Sequence, residues 1–311
     1  MGRYILRRLV QMVPVMLGVT LVVFFLLRLV PGDPAEVILG NRATAANVAH
    51  LRRALGLDKP MLVQYGYFMR NMLKGDLGQS IFYREPVTRI IMQRLPVTLF
   101  LTTYSTILAL LVTIPLGTLA AIKKDRWQDQ AVRGFLLVSL AMPPFWVGLM
   151  LLLLFGVKLK IFPVGGYGTG FAGHLHALFL PALTLALGIS AVLVRALRNS
   201  ILDVLSADYV RTARAKGLGS RTIYTWHVLR NSALSTMTLL GIYVATILGG
   251  AVILESLFAI PGLGSLLIKA IFGRDYPIVQ GVTLYFGVLV ILVNLLTDIG
   301  YAILDPRVSY D

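Results

Sequence analysis

Six apolar stretches punctuate the chain, at residues 9–30, 97–122, 134–157, 177–194, 234–254 and 278–304. Each is long enough to cross a hydrocarbon core of about 30 Å as a helix rising about 1.5 Å per residue. Only helices and closed barrels satisfy every backbone group in lipid. The pattern therefore predicts an all-α polytopic membrane protein with six transmembrane helices, residues 1–311 forming a single transmembrane domain. Apolar residues favour insertion by about 0.3 to 0.6 kcal/mol each, so roughly twenty of them outweigh one central charge at about 3 kcal/mol. Arg28, Glu255 and Asp298 are affordable on that scale. Arg3, Arg7 and Arg8 before the first stretch resemble the start of a signal peptide, but the apolar run is too long and Pro31-Gly-Asp-Pro34 is no small-residue cleavage site.

Between the spans, Lys and Arg divide unequally. Fifteen fall before the first span, in 123–133, in 195–230 and at Arg307, against four in 158–177 and 259–277. The loop 31–96 is set aside, because loops beyond about 60 residues translocate regardless of charge. Positive residues favour the inner side, which places both termini and the loop 195–233 in the cytoplasm and 31–96 in the periplasm. The same distribution accounts for the net charge of +15; with basic residues spread over every loop and no recognition fold, nucleic acid is not a partner. With no Cys, disulfides and thiol chemistry are excluded. A bacterial inner membrane fits, and 57% hydrophobic against 14% charged residues make lipid the main solvent.

Two loops carry pattern of their own. In 31–96 the turn signals Gly56-Leu-Asp-Lys-Pro60 and Gly75-Asp-Leu-Gly78 bound a segment, 61–74, with aromatics and Leu/Met at helical spacing, and 86–95 alternates Val87, Ile90, Ile91 and Leu95 with polar residues. Two short helices on the outer membrane surface are expected, the alternative being a solvated loop. In 195–233, Ser206 is placed to cap a helix, Asp208 suits the positive end of its dipole, and Gly217 falls at the C′ position. Ala207, Val210 and Ala213 or Arg214 recur every three to four residues, giving a small-residue face open to another protein. Ser220 starts a second helix with Ile223, Trp226, His227 and Arg230 on one side until Asn231. Physical chemistry leaves two readings open: a docking helix for a cytoplasmic partner, or an amphipathic helix on lipid headgroups.

The run Asp208-Tyr-Val-Arg-Thr-Ala-Arg-Ala-Lys-Gly217, followed by His227-Val-Leu-Arg-Asn231, resembles the coupling loop of ABC importer permeases of the dipeptide, oligopeptide and nickel family. Pro31-Gly-Asp-Pro34, Gly56-Leu-Asp-Lys-Pro60, Gly75-Asp-Leu-Gly78, Pro261-Gly-Leu-Gly264, Arg274-Asp-Tyr-Pro277 and Asn294 with Asp298, Tyr301 and Asp305-Pro-Arg307 stand in the order that family shows, so the resemblance covers almost the whole chain. It departs from the general importer pattern of Glu-Ala-Ala and Ile-x-Leu-Pro, since Arg211-Thr-Ala213 and His227-x-Leu229-Arg230 stand there, as in the peptide branch. No Glu-mediated contact is therefore assigned to Arg211.

What the resemblance implies is a type I ABC importer permease fold. Its short 206–217 helix would sit in a groove of a separate ATPase, with Asp208, Tyr209, Arg211, Thr212, Ala213, Ala215, Lys216, Gly217, His227 and Arg230 as coupling residues, and bulk at Ala213 or Gly217 would block docking. The implied machine adds a second homologous six-span permease, two ABC ATPase subunits and a periplasmic solute-binding protein. The implied cargo is peptide, or else nickel, glutathione or another small solute.

No Lys in the chain follows a Gly, so it holds no Gly-x4-Gly-Lys-Ser/Thr phosphate loop, and ATP and Mg belong to the partner. Glu255 and Asp298 are the ionisable candidates for a translocation pathway, with structural roles favoured. His174-x-His176 is near metal-ligand spacing but lacks an acidic companion, so no metal site, resident cofactor or catalytic residue is expected. An intramembrane hydrolase would need a nucleophile beside a buried base. An ion-coupled secondary transporter would show paired ionisable groups in an internal repeat.

Overall fold

The computed structural model describes residues 2–29, 34–39, 43–54 and 56–304; the segments Pro31-Gly-Asp33 and Asp305-Pro-Arg307 lie outside it, as do the side chains of Asp298 and Tyr301. The described elements are helices: α1 (Gly2–Leu29), α2 (Pro34–Leu39), α3 (Ala45–Ala54), α4 (Met61–Leu73), α5 (Val87–Ile122), α6 (Trp127–Ala141), α7 (Pro144–Leu151), α8 (Gly170–Ser206), α9 (Asp208–Ala215), α10 (Ser220–Thr222), α11 (Arg230–Leu257), α12 (Leu263–Phe272) and α13 (Tyr276–Leu304). Two π-helical segments continue α7 over Leu152–Lys158 and join α10 to α11 over Ile223–Leu229. Among the described residues four helices are long and apolar enough to cross a membrane, α5, α8, α11 and α13, and a fifth span arises if the bent pair of α6 and α7 counts as one. Val10–Phe25 of α1 is a shorter apolar helix.

By contacts the chain forms two compact units, Met1–Pro96 with Pro261–Ile291, and Val97–Ile260 with Leu292–Asp311. In the first, α4 packs on α1: the Thr20 and Tyr65 hydroxyls share a 2.8 Å hydrogen bond, and the Phe24 ring lies 5.3 Å from Tyr65 and 5.7 Å from Phe68. The buried carboxylate of Asp275 accepts from the Ser80 hydroxyl and, at 3.0 Å, from the Phe82 amide. That ties the turn after Gly78 to the start of α13.

The second unit is built around α8, the most buried of the long helices. Leu178, Leu180, Leu185, Ile189 and Leu193 of α8 pack with Leu101 of α5 and with Leu240, Ile247, Ala251 and Leu254 of α11. Small residues let the helices approach closely: a Cβ at Gly117 would meet Leu197 at 3.0 Å, and one at Gly148 would meet Thr184, Leu254 and Leu257 at 3.3 Å. In lipid, close van der Waals approach of this kind replaces the hydrophobic drive available in water.

Three elements differ from the sequence expectation. The segment 86–95 is no separate surface helix but the first turns of α5, which runs through Pro96; a helix in an apolar setting keeps a proline where neighbouring groups satisfy the freed carbonyl. The stretch 134–157 is not one straight helix, because α6 and α7 meet at 104°. Met142 there is extended (φ −95°, ψ 130°), as is Pro143 (φ −60°, ψ 134°). A residue before proline is pushed out of the helical region, and two successive prolines remove two amide donors. Finally, α12 was not anticipated: its ten residues bury Leu263, Gly264, Ser265, Leu266 and Ala270, too short a pattern to separate from a loop.

Candidate coupling site

The helix α8 runs 37 residues, about 56 Å at about 1.5 Å each, beyond what a membrane core needs. It ends in a sharp turn where Ala207 is extended (φ −70°, ψ 145°), and α9 departs at once. Ser206 does not cap α9, as its pattern suggested: its hydroxyl donates to the Asp203 carbonyl at 2.7 Å and closes the last turn of α8. Gly217 does what its position predicts. Its φ is +79°, its amide donates to Arg214 O at 2.9 Å, and the Leu218 amide donates to Ala213 O at 3.3 Å. Those paired bonds are the Schellman arrangement, in which a left-handed glycine satisfies the orphan carbonyls of a helix end.

One face of α9 is spent within the chain. Val210 and Ala213 are buried with Leu197 and Ile201 of α8, Ala121 of α5, and Ile223 and Val228 of the π segment. The small-residue face thus turns inward, and added bulk at Ala213 would meet this packing. Asp208, Tyr209, Arg211, Thr212, Arg214, Ala215, Lys216 and Gly217 are exposed. Asp208 and Arg211 pair at 3.4 Å with side chains 95% and 72% exposed, so that pair contributes at most about 1 kcal/mol. It leaves a charged surface free for a partner.

The second arm of the hairpin also departs from expectation. Ile223 and Val228 share the buried side, while Trp226 is 66% exposed, His227 half-buried and Arg230 exposed. Ile223 and Val228 are five apart, the hydrogen-bond step of the wider π-helix, whereas the expected common face rests on the α-helical spacing of three to four. Asn231 ties the arms together, its amide donating to the Tyr209 hydroxyl at 3.1 Å and to the His227 carbonyl at 2.7 Å. From Ser220 the helical path is unbroken through the π segment to Leu257. The α9 seat is therefore built on two long helices at once.

The other candidates are placed differently. Glu255 is fully buried and accepts a 2.6 Å hydrogen bond from the Thr98 hydroxyl, an arrangement that fixes α5 against α11. Asp298 lies on α13, with its side chain outside the described ones. His174 and His176 point to different carbonyls, Tyr167 O at 2.8 Å and Ile161 O at 3.0 Å, and pin the 159–169 loop to α8. Among the described residues no three His, Cys, Asp or Glu side chains gather to hold a metal. What sequence reasoning missed is Asp129, buried and paired with Arg198 across 69 positions; only its i,i+4 partner Arg133 was readable locally.

Comparison with known proteins meets this geometry. Residues 113–310 match the model of binding-protein-dependent transport system inner membrane components, and residues 1–102 match that family's N-terminal membrane component. The chain is 42% identical to a putative peptide transport system permease protein of Brucella suis biovar 1, 40% to the oligopeptide transport system permease protein AppB of Bacillus subtilis, and 38% to the glutathione transport system permease protein GsiC of Salmonella choleraesuis. Each match covers 100% of both chains. In fold it is similar to a chain of the inward-facing MetNI methionine ABC transporter, with a TM-score of 0.58 at 16% identity over 70% of this chain and 96% of that one. It is a multi-pass inner-membrane transport subunit with an ABC importer permease fold, not an enzyme. The chain belongs to the family of binding-protein-dependent transport system inner membrane components.

Proposed function

We propose that this chain is the permease subunit of an ATP-driven importer that carries dipeptides or oligopeptides inward across a bacterial inner membrane. Two partner ABC ATPase subunits bind ATP and Mg, and one of them takes the 206–217 helix into a groove. The observation that carries this reading is the coupling hairpin: a short capped helix with an exposed charged face, seated by Val210 and Ala213 between the extension of α8 and the π segment leading into α11. A push on α9 is thereby delivered to two spans together. Nucleotide-driven closure of the ATPases then favours the outward-open state, and hydrolysis returns the inward one, an alternating-access cycle.

The remaining parts of the reading are these. Residues 1–311 act as one transmembrane domain of six spans, with both termini and 195–233 in the cytoplasm and 31–96 in the periplasm. A second homologous permease completes the pore, a periplasmic solute-binding protein delivers cargo, and lipid covers the outer apolar faces. Peptide is supported by the names of the Brucella and Bacillus relatives. Glutathione is the second reading, favoured by the Salmonella relative; nickel or another small solute is a further alternative. Glu255 acts structurally, given its burial, and the same role is assigned to Asp298.

The test is purification of the tagged chain from its native membrane in mild detergent, with co-purifying proteins identified by mass spectrometry, for the wild type and Gly217→Trp. The expected result is a second permease and two nucleotide-binding subunits with the wild type, the latter lost from Gly217→Trp. A chain that comes out alone and takes up dipeptide on an ion gradient overturns the proposal in favour of a secondary transporter.

A further inference from the structure

Asp129, in the first turn of α6, has a side chain wholly shut off from solvent, and its carboxylate is held from three directions. Arg198 of α8 closes on it as a fork, Nε to Oδ1 at 2.8 Å and Nη2 to Oδ2 at 2.7 Å. Arg133, one turn further along α6, adds Nη2 to Oδ2 at 2.7 Å, and the Asp125 amide donates to the same oxygen at 3.0 Å. Asp125 adopts a left-handed φ of +61°, which costs a non-glycine residue about 1 kcal/mol or more. The turn before α6 therefore accepts strain while aiming that amide at the carboxylate.

The position of Arg198 gives the cluster its interest. Its neighbour Leu197, and Ile201 one turn on, are the α8 residues that seat Val210 and Ala213 of α9. One turn of α8 thus holds the coupling helix on one side and α6 on the other. Cohesion of α6 with α8 does not rest on the charges alone, because Val132 and Leu136 also pack against Ala191 and Val194. A buried ion pair is weak as a source of stability, but a bidentate fork fixes the register and angle of the helices it joins.

We propose that Asp129 is a positioning residue that makes α6 travel with the coupling helix, delivering movement of α9 through Arg198 to α6 and the bent α6–α7 pair. The proposal rests on the coupling reading above. It is tested in membrane vesicles holding the assembled importer, wild type against Asp129→Asn, Arg198→Lys and Arg133→Gln, by measuring dipeptide uptake per assembled complex and ATP hydrolysed per dipeptide moved. Asp129→Asn and Arg198→Lys are expected to keep their ATPase subunits while uptake per complex falls roughly tenfold and ATP per dipeptide rises to match. Arg133→Gln, on the half-exposed arginine, leaves the fork intact and should change that ratio less than about twofold. If Asp129→Asn complexes are scarcer but move dipeptide at the wild-type ATP ratio, the pair is only structural and the proposal falls. Should Asp129→Asn not assemble, Arg198→Lys decides, since it keeps the charge and loses the fork; a wild-type ratio there is equally fatal. A failure of the coupling reading itself shows in the wild type, as uptake indifferent to ATP, and takes this proposal with it.

Discussion

At Gly217 a single residue type settles a local structure: a φ of +79° suits glycine, and the bonds from Gly217 and Leu218 back into α9 follow from it. That cap was legible because the signal lies within a few residues. Ser206 was misleading because a serine between two helices serves either one, and only the true end of α8 decides. Likewise the spacing of Val210 and Ala213 revealed a face but not its direction, since partner and parent chain both accept small residues. The inward seat has its own test. Ala213→Leu should overpack the cluster of Leu197, Ile201 and Val228 at about 1–3 kcal/mol. Limited proteolysis of the isolated permease should then cut 208–219 faster than in the wild type, with no ATPase present. Unchanged cleavage would mean that Ala213 does not hold α9 down.

For whole elements, hydrophobic length located the helices α5, α8, α11 and α13 but not their ends, because the helix continues past the lipid wherever the chain packs on itself. The break at Met142-Pro143-Pro144 follows from two successive prolines, though nothing local sets its 104° angle. A π segment leaves little trace in periodicity, so α-helical spacing puts Trp226 on one side with Ile223, whereas Ile223 is buried and Trp226 is 66% exposed. Glycines are more informative once the structure shows what faces them. A Cβ on Gly241 of α11 would collide with the Thr297 side chain of α13, whose hydroxyl is engaged with Val293 O at 2.8 Å. A Cβ on Gly249 would meet nothing within 4 Å. Gly241→Ala should therefore destabilise the detergent-solubilised chain by about 1–3 kcal/mol. Gly249→Ala should be neutral or gain up to about 1 kcal/mol from helix propensity. Thermal unfolding followed by circular dichroism separates the two, and equal melting temperatures would refute the close α11–α13 crossing.

The whole molecule is where sequence and contacts inform least, because sidedness and partners are properties of the membrane and the assembly. The unequal distribution of Lys and Arg is the physical handle on orientation, since basic loops are retained on the inner side. On that rule the α9 hairpin is expected inside and the Ser80–Tyr83 turn outside, a necessary condition for the proposed coupling to a cytoplasmic ATPase. The absence of Cys makes this testable without a prior cysteine-free background. Phe82 is 76% exposed and Leu218 is 36% exposed, so a thiol at either site is reachable from the aqueous side it faces. Phe82→Cys should react with a membrane-impermeant maleimide in spheroplasts, and Leu218→Cys only after the membrane is opened. If Leu218→Cys labels from outside while Phe82→Cys stays protected, the hairpin faces away from ATP. The charged face of α9 would then need a different partner, and the fork between Asp129 and Arg198 would have no nucleotide-driven movement to transmit.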